Sequence, residues 1–156
     1  MTLKARWMRW ELVSRAGRMT KRPITVAGRQ ASSTDASKWT DYATAKRSAV
    51  GAGLGFALGE GIGCIDLDHC IVDGVVAGWA QDILDRCPPT FVEVSQSKTG
   101  LHIFGLLPEG SGRNIRRVDV AIEFYSVGRF MAVTGDRFGS APATLADLSE
   151  VTASVV

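Results

Sequence analysis

Short apolar segments, each bounded by glycine, proline or other turn residues, follow one another from residue 53 to residue 134. Two of them, 53–58 and 61–68, are interpreted as strands of a hairpin joined by a Gly-Glu-Gly turn. Further strands are predicted at 91–95, 101–107, 120–125 and 129–134. Amphipathic spacing predicts a helix over 75–86, which the following Pro-Pro pair stops. This alternation favours an α+β fold with a largely antiparallel sheet.

The first fifty residues and the end of the chain carry weaker signals. Trp7 and Trp10 follow a three-residue spacing that predicts a short helix. A hairpin-like segment is expected at 22–29, and the hydroxyls and carboxylate of 32–35 are N-cap candidates for a helix that ends near 48–51. A last helix is predicted at 143–151, capped by Thr144.

Size and cysteine usage limit the class of protein. At 156 residues, with 46% hydrophobic and 22% charged side chains, the chain is expected to form one compact domain over 1–156. Its three cysteines form no CxxC pair, which predicts a reduced, intracellular protein and no zinc site. Because no apolar run reaches membrane-spanning length and no signal peptide is evident, a soluble cytoplasmic protein is expected.

The net charge of +2 hides an asymmetry along the chain. Residues 1–50 carry a net charge of +8, whereas residues 51–156 carry −6. This division suits a basic phosphate-binding lobe beside an acidic metal-binding lobe. The alternative is two solvated surfaces of opposite sign.

Two carboxylates end the apolar strand predicted at 61–68. Residues at i and i+2 of a strand point to the same face, so Asp66 and Asp68 can share one hard cation. The alternative is a pair of solvated turn residues, and Asp73 and His69 are possible replacement ligands.

Glu123 interrupts the apolar strand 120–125. An unpaired carboxylate there would cost several kcal/mol to desolvate, so it needs a cation. The alternatives are an edge position facing water or an ion pair with an arginine such as Arg129.

The turn between the strands at 91–95 and 101–107 combines hydroxyls, a cation, a glycine and an imidazole. Its candidate phosphate-binding groups are Ser97, Lys98, Thr99 and His102. Hydroxyls, backbone amides and a lysine can all hold phosphate oxygens. The alternative is a polar hairpin with a surface lysine and a histidine at the edge of the core.

Taken in this order, the segments 61–68, 97–102 and 120–125 resemble the three motifs of the archaeo-eukaryotic primase superfamily. The likeness is closest to its bifunctional primase-polymerase (prim-pol) branch, which is found in phages, plasmids and actinobacterial mobile elements. The segment 128–135 is similar to a closing strand of that branch. The resemblance covers about residues 21–135.

The resemblance implies a catalytic domain with an RRM-like core flanked by helices. It also implies a DNA primase or polymerase activity in which Asp66, Asp68 and Glu123 bind two Mg²⁺ or Mn²⁺ ions. The groups expected to hold the triphosphate of an NTP or dNTP are Ser97, Lys98, Thr99, His102 and Arg129.

The implied partners are a single-stranded DNA template and a primer, held along the basic first third and by Arg113, Arg116 and Arg117. A helical bundle and a helicase are further expected partners, because many relatives continue into them. Two other functions remain open: a non-catalytic nucleic-acid-binding replication module and a metal-dependent nuclease.

Overall fold

A computed structural model describes residues 1–155 of the chain and divides it into two compact units. The first comprises residues 1–58 and 128–133, and the second comprises residues 59–127 and those from 134 onward. The chain therefore leaves the first unit, forms most of the second, and returns to the first for one short strand. The expectation of one catalytic domain over 1–156 stays a prediction.

The secondary structure is mostly short strands. The strands are β1 (Trp7–Arg15), β2 (Arg18–Ile24), β3 (Gly53–Ala57), β4 (Ile62–Leu67), β5 (Ile71–Val72), β6 (Val75–Val76), β7 (Val92–Val94), β8 (Leu101–Leu106), β9 (Arg113–Arg117), β10 (Val120–Tyr125) and β11 (Phe130–Val133). The helices are α1 (Tyr42–Arg47), α2 (Gly78–Arg86) and α3 (Ser149–Ser154), with a 3-10 helix at Ala36–Lys38.

The first unit is built on an antiparallel sheet with the order β11-β3-β1-β2. The predicted helix around Trp7 and Trp10 is wrong, because these residues lie in β1. Trp7, Met8 and Trp10 are all buried, so β1 places large side chains on both faces of the sheet. Because residues on both faces of β1 are buried, its sequence lacks the polar-apolar alternation of a strand. The spacing of its two tryptophans therefore resembles that of a helix.

Two other local predictions need correction. The strands β3 and β4 form no hairpin, since β3 pairs with β1 and β11 whereas β4 pairs with β8 and β10. The helix expected after residue 35 is divided into the 3-10 turn, capped by Asp35, and α1, capped by Asp41. The last helix starts at Ser149 rather than near residue 143, and Asp147 accepts a hydrogen bond from the Ser149 N–H at its start.

The second unit is built on a five-stranded antiparallel sheet with the order β7-β8-β4-β10-β9. One face of this sheet packs into the apolar core, with Ile65, Leu67 and Ile103 fully buried. α2 contributes Ala80 and Ile83 to the same core. Strand β9 was not predicted, because its sequence Arg-Asn-Ile-Arg-Arg has a single apolar residue.

The predicted fold class is confirmed: the protein is α+β, with mainly antiparallel sheets and few helices. In the described part of the chain, no helix has the length and apolar character needed to cross a membrane.

Gly105 allows Leu148, the residue directly before α3, to pack closely on β8. A Cβ at residue 105 would lie 2.4 Å from Leu148 Cγ and 2.6 Å from the Ala146 carbonyl oxygen. We therefore expect Gly105→Ala to lower the free energy of unfolding by about 1–3 kcal/mol, as overpacking does. Urea denaturation measures this change. Gly110→Ala is the matched control, since nothing lies within 4 Å of its Cβ position; equal losses in the two variants would contradict the packing argument.

Candidate active site

Five polar side chains lie in one row across the sheet of the second unit. In register, Glu93 is opposite His102, His102 is opposite Asp66, Asp66 is opposite Glu123, and Glu123 is opposite Asn114. Residues directly opposite each other in an antiparallel ladder point to the same face. We call Glu93, His102, Asp66, Glu123 and Asn114 the polar row.

The alternation of β4 and β10 explains why this row faces away from the core. In β4, Ile65 and Leu67 are fully buried on the apolar face, so Asp66 between them points to the other side. Asp68 follows the end of β4, and its N–H donates to the Ala121 carbonyl at 3.0 Å. This bond keeps Asp68 beside β10, two residues from Asp66.

His102 is held between two carboxylates. It is 6% exposed, its Nδ1 lies 3.0 Å from Glu93 Oε1, and its Nε2 lies 3.8 Å from Asp66 Oδ1. Its ring also packs edge-on against Phe104. These contacts fix the orientation of the imidazole, so one ring nitrogen faces the buried end of the row and the other faces Asp66.

Glu93 was not singled out from the sequence, although it has the same signal as Glu123, a carboxylate inside an apolar strand. Glu93 is fully buried. Besides its contact with His102, it accepts hydrogen bonds from the backbone N–H groups of Thr134, at 3.1 Å, and Gly135, at 2.9 Å. Its negative charge is thus satisfied by the imidazole and two amides, as burial of a carboxylate requires.

At the other end of the row, Arg116 of β9 joins two of the predicted carboxylates. Its Nη2 donates to Glu123 Oε1 at 2.6 Å and to Asp68 Oδ2 at 3.4 Å, and its Nε donates to Asn114 Oδ1 at 3.0 Å. Tyr125 donates to the second oxygen of Glu123. Arg116 is the cation beside Glu123, and its predicted contact with nucleic acid stays a prediction.

The carboxylates of Asp66, Asp68 and Glu123 offer the type of oxygen that a hard divalent cation binds. As they stand, no three His, Cys, Asp or Glu side chains of residues 1–155 are grouped closely enough to hold a metal ion. The Arg116 guanidinium instead lies between Asp68 and Glu123, within ion-pair distance of both carboxylates. Carboxylate oxygens are the ligands that Mg²⁺ and Mn²⁺ prefer.

A thiol also lies on this face of β4, at Cys64. Burial raises the pKa of the Cys64 thiol well above its usual value, and the charges of Asp66 and Glu93 raise it further. The thiol is therefore neutral at ordinary pH, and a neutral thiol is a poor metal ligand.

The predicted phosphate loop joins β7 to β8. The Ser97 hydroxyl shares hydrogen bonds with those of Ser95 and Thr99, each at 3.0 Å. Lys98 has a left-handed backbone, with φ of 69°, and its ammonium pairs with Asp136 at 3.0 Å. In the described chain no hydrogen bond joins these loop groups to His102, so their shared role stays a prediction.

Arg129 belongs to the first unit, in the turn before β11. Its carbonyl accepts a hydrogen bond from the Leu58 N–H at 2.9 Å. Its assignment to the triphosphate stays a prediction.

The α+β fold carries a row of carboxylates and a histidine on the face of the sheet that points away from the core, and comparison with known proteins adds to this description. No family model matches the chain. Over 145 residues, 86% of its length, the chain is 36% identical to the DNA primase-polymerase of the Nitratiruptor phage NrS-1. This similarity confirms the resemblance drawn from the three motifs and supports a domain of the prim-pol type. It spans about a fifth of the length of that relative.

Removing the Glu93 carboxylate is expected to destabilise the protein strongly. Glu93→Ala leaves two backbone amides and the buried His102 Nδ1 without a partner, so we expect a loss of about 3–5 kcal/mol in the free energy of unfolding. Denaturant unfolding followed by tryptophan fluorescence measures it. The control Glu150→Ala removes an exposed carboxylate and should change stability by less than about 0.5 kcal/mol. A Glu93 variant as stable as the control would refute the assigned contacts.

Proposed function

We propose that this domain catalyses template-directed nucleotidyl transfer, as a DNA primase or polymerase. The observation that supports this most strongly is the register that sets His102, Asp66 and Glu123 opposite one another on three neighbouring strands. The relative that covers most of the chain is named a DNA primase-polymerase, which supports the same class of reaction.

In this proposal Asp66, Asp68 and Glu123 hold two Mg²⁺ or Mn²⁺ ions. Bound there, the ions would supply the positive charge that activates a primer 3′-hydroxyl and neutralises the triphosphate. The protein's own contribution is to fix the carboxylates, through the strand ladders and the hydrogen bonds of Asn114 and Tyr125 to Glu123. Such positioning accounts for much of the rate enhancement in enzymatic phosphoryl and nucleotidyl transfer.

His102 is assigned to the triphosphate of the incoming NTP or dNTP. Its Nε2 edge faces Asp66, so a nucleotide lying over the carboxylates would meet that edge. The opposite ring nitrogen is occupied by Glu93, which prevents the ring from turning away. Ser97, Lys98, Thr99 and Arg129 are proposed as further contacts to the phosphates.

The proposed partners are a single-stranded DNA template and its primer. The basic residues of 1–50 and the arginines of β9 are the groups that can neutralise their phosphates. A helical bundle or helicase, separate or in the same polypeptide, is a further proposed partner.

Loss of one carboxylate tests the reaction. We expect Asp66→Asn or Glu123→Gln to reduce metal-dependent incorporation of labelled nucleotide on a primed single strand by about a hundredfold or more. The reason is that either variant removes the negative charge of one carboxylate that is proposed to bind the metal ions. Asp73→Asn is the control, since Asp73 lies outside the polar row, in the turn between β5 and β6. Wild-type incorporation in either variant would exclude the proposed site.

The wild-type protein in the same assay separates the other two functions. Degradation of the strand without incorporation would mean a nuclease, and binding of the strand without either reaction would mean a non-catalytic module. Either result would overturn the proposed function.

His102→Ala is expected to weaken NTP binding by about ten- to a hundredfold while leaving single-stranded DNA binding nearly unchanged. The reason is the loss of one hydrogen bond to a charged phosphate. Titration with nucleotide plus Mn²⁺, and separately with labelled DNA, measures the two affinities. The control is Glu150→Ala, an exposed residue of α3 outside the polar row, which should leave both affinities unchanged. Equal losses for the two ligands would show that His102 is not a triphosphate contact.

A further inference from the structure

Arg116 occupies the space between two carboxylates that are proposed to bind metal. One Nη2 atom reaches both Glu123, at 2.6 Å, and Asp68, at 3.4 Å. Two carboxylates near each other repel unless a cation lies between them. In the protein without metal, that cation is the guanidinium.

The guanidinium is held in a way that permits it to leave. β9 is the edge strand of its sheet, and the Arg116 side chain is 52% exposed. Ion pairs at such exposure contribute little net free energy, so breaking this one costs little. The residue opposite Arg116 in register is Ala121, whose small side chain leaves the space beside it open.

A cavity of about 480 Å³ adjoins this position. Arg116 and Asp68 both line it, together with His69, Trp79, Arg117 and Ala121. The guanidinium therefore has room to turn into the cavity without leaving the neighbourhood of Asp68. It also has the planar, two-pronged geometry that binds phosphate oxygens.

We propose that Arg116 is an exchangeable counter-ion of the active site, which pairs with Asp68 and Glu123 in the metal-free protein and moves to a substrate phosphate when a divalent cation takes its place. This rests on the proposed function, because the exchange needs metal at these carboxylates. Arg116 is thus a second phosphate contact that becomes available only in the metal-loaded protein. Asp68 and Glu123 remain ordered in both states, because either the guanidinium or a metal ion lies beside them.

The exchange predicts two effects of opposite sign. Without nucleotide, Arg116→Ala should bind Mn²⁺ about three- to tenfold more tightly than the wild type, because the metal no longer competes with a like charge for the same oxygens. In the presence of Mn²⁺, the same variant should bind a nucleoside triphosphate about tenfold more weakly, because a charged hydrogen bond to phosphate is lost. Electron paramagnetic resonance of free Mn²⁺ and calorimetry with nucleotide measure the two affinities.

Two further variants control for charge and folding. Arg113→Ala removes a positive charge from the same strand, three residues from Arg116. Among residues 1–155, Arg113 forms no ion pair. Its loss should therefore leave the Mn²⁺ affinity within about twofold of the wild type. Arg116→Gln keeps most of the side chain and its hydrogen bonding without the charge, and should reproduce the gain in Mn²⁺ affinity even if the alanine variant unfolds. A purely structural role for Arg116 would weaken both affinities together, and that result would overturn the exchange.

The failure of this inference can be distinguished from failure of the proposed function. If the wild type binds Mn²⁺ and Asp68→Asn does not, the metal site exists; unchanged Mn²⁺ affinity in both Arg116 variants then refutes the exchange alone. If the wild type and Asp68→Asn bind Mn²⁺ equally weakly, the metal site itself is refuted, and the exchange with it.

Discussion

The register of the five-stranded sheet is the constraint on which the site depends. Asp66, His102 and Glu123 come from strands far apart in sequence, and they meet only because the ladders of β4 with β8 and of β4 with β10 set them directly opposite one another. A slip of one residue in either ladder would turn the polar groups into the core and the isoleucines and leucines out of it. The apolar core on one face therefore enforces the arrangement on the other, and packing and chemistry are specified by the same alternation.

Charge is balanced differently at the two ends of the polar row. At the β7 end, Glu93 is fully buried and its charge is met by His102 and two backbone amides. At the β9 end, the carboxylates are met by a half-exposed arginine on an edge strand. The first kind of pairing is costly to break and fixes geometry, whereas the second is inexpensive to break and permits exchange. The row is thus rigid where it orients the imidazole and adaptable where a metal ion and substrate are proposed to enter.

Much of this arrangement was predictable from sequence, for identifiable reasons. Strands β8 and β10 are largely apolar runs bounded by turn residues, and helix α2 has amphipathic spacing, so all three carry strong local signals. The pairing of β3 and β4 was mispredicted, because a glycine turn signals a hairpin locally while the partners are chosen by long-range packing. Glu93 was missed although its pattern matched that of Glu123. The ion pair of Arg116 with Glu123 was not predicted, because a sequence shows the charges but not which of them are close to one another. The metal ions and the triphosphate contacts remain predictions.

The hydrogen bonds of Glu93 tie the site to the last part of the chain. Thr134 and Gly135, whose amides it accepts, are the first residues of the segment that rejoins the second unit after β11. Residues 134–155 contain none of the three motifs, yet their first two peptide groups close one end of the polar row. A chain cut directly after β11 would keep every motif residue and lose the support of the imidazole. The support of the imidazole therefore comes from residues beyond the last of the three motifs, which ends at Tyr125.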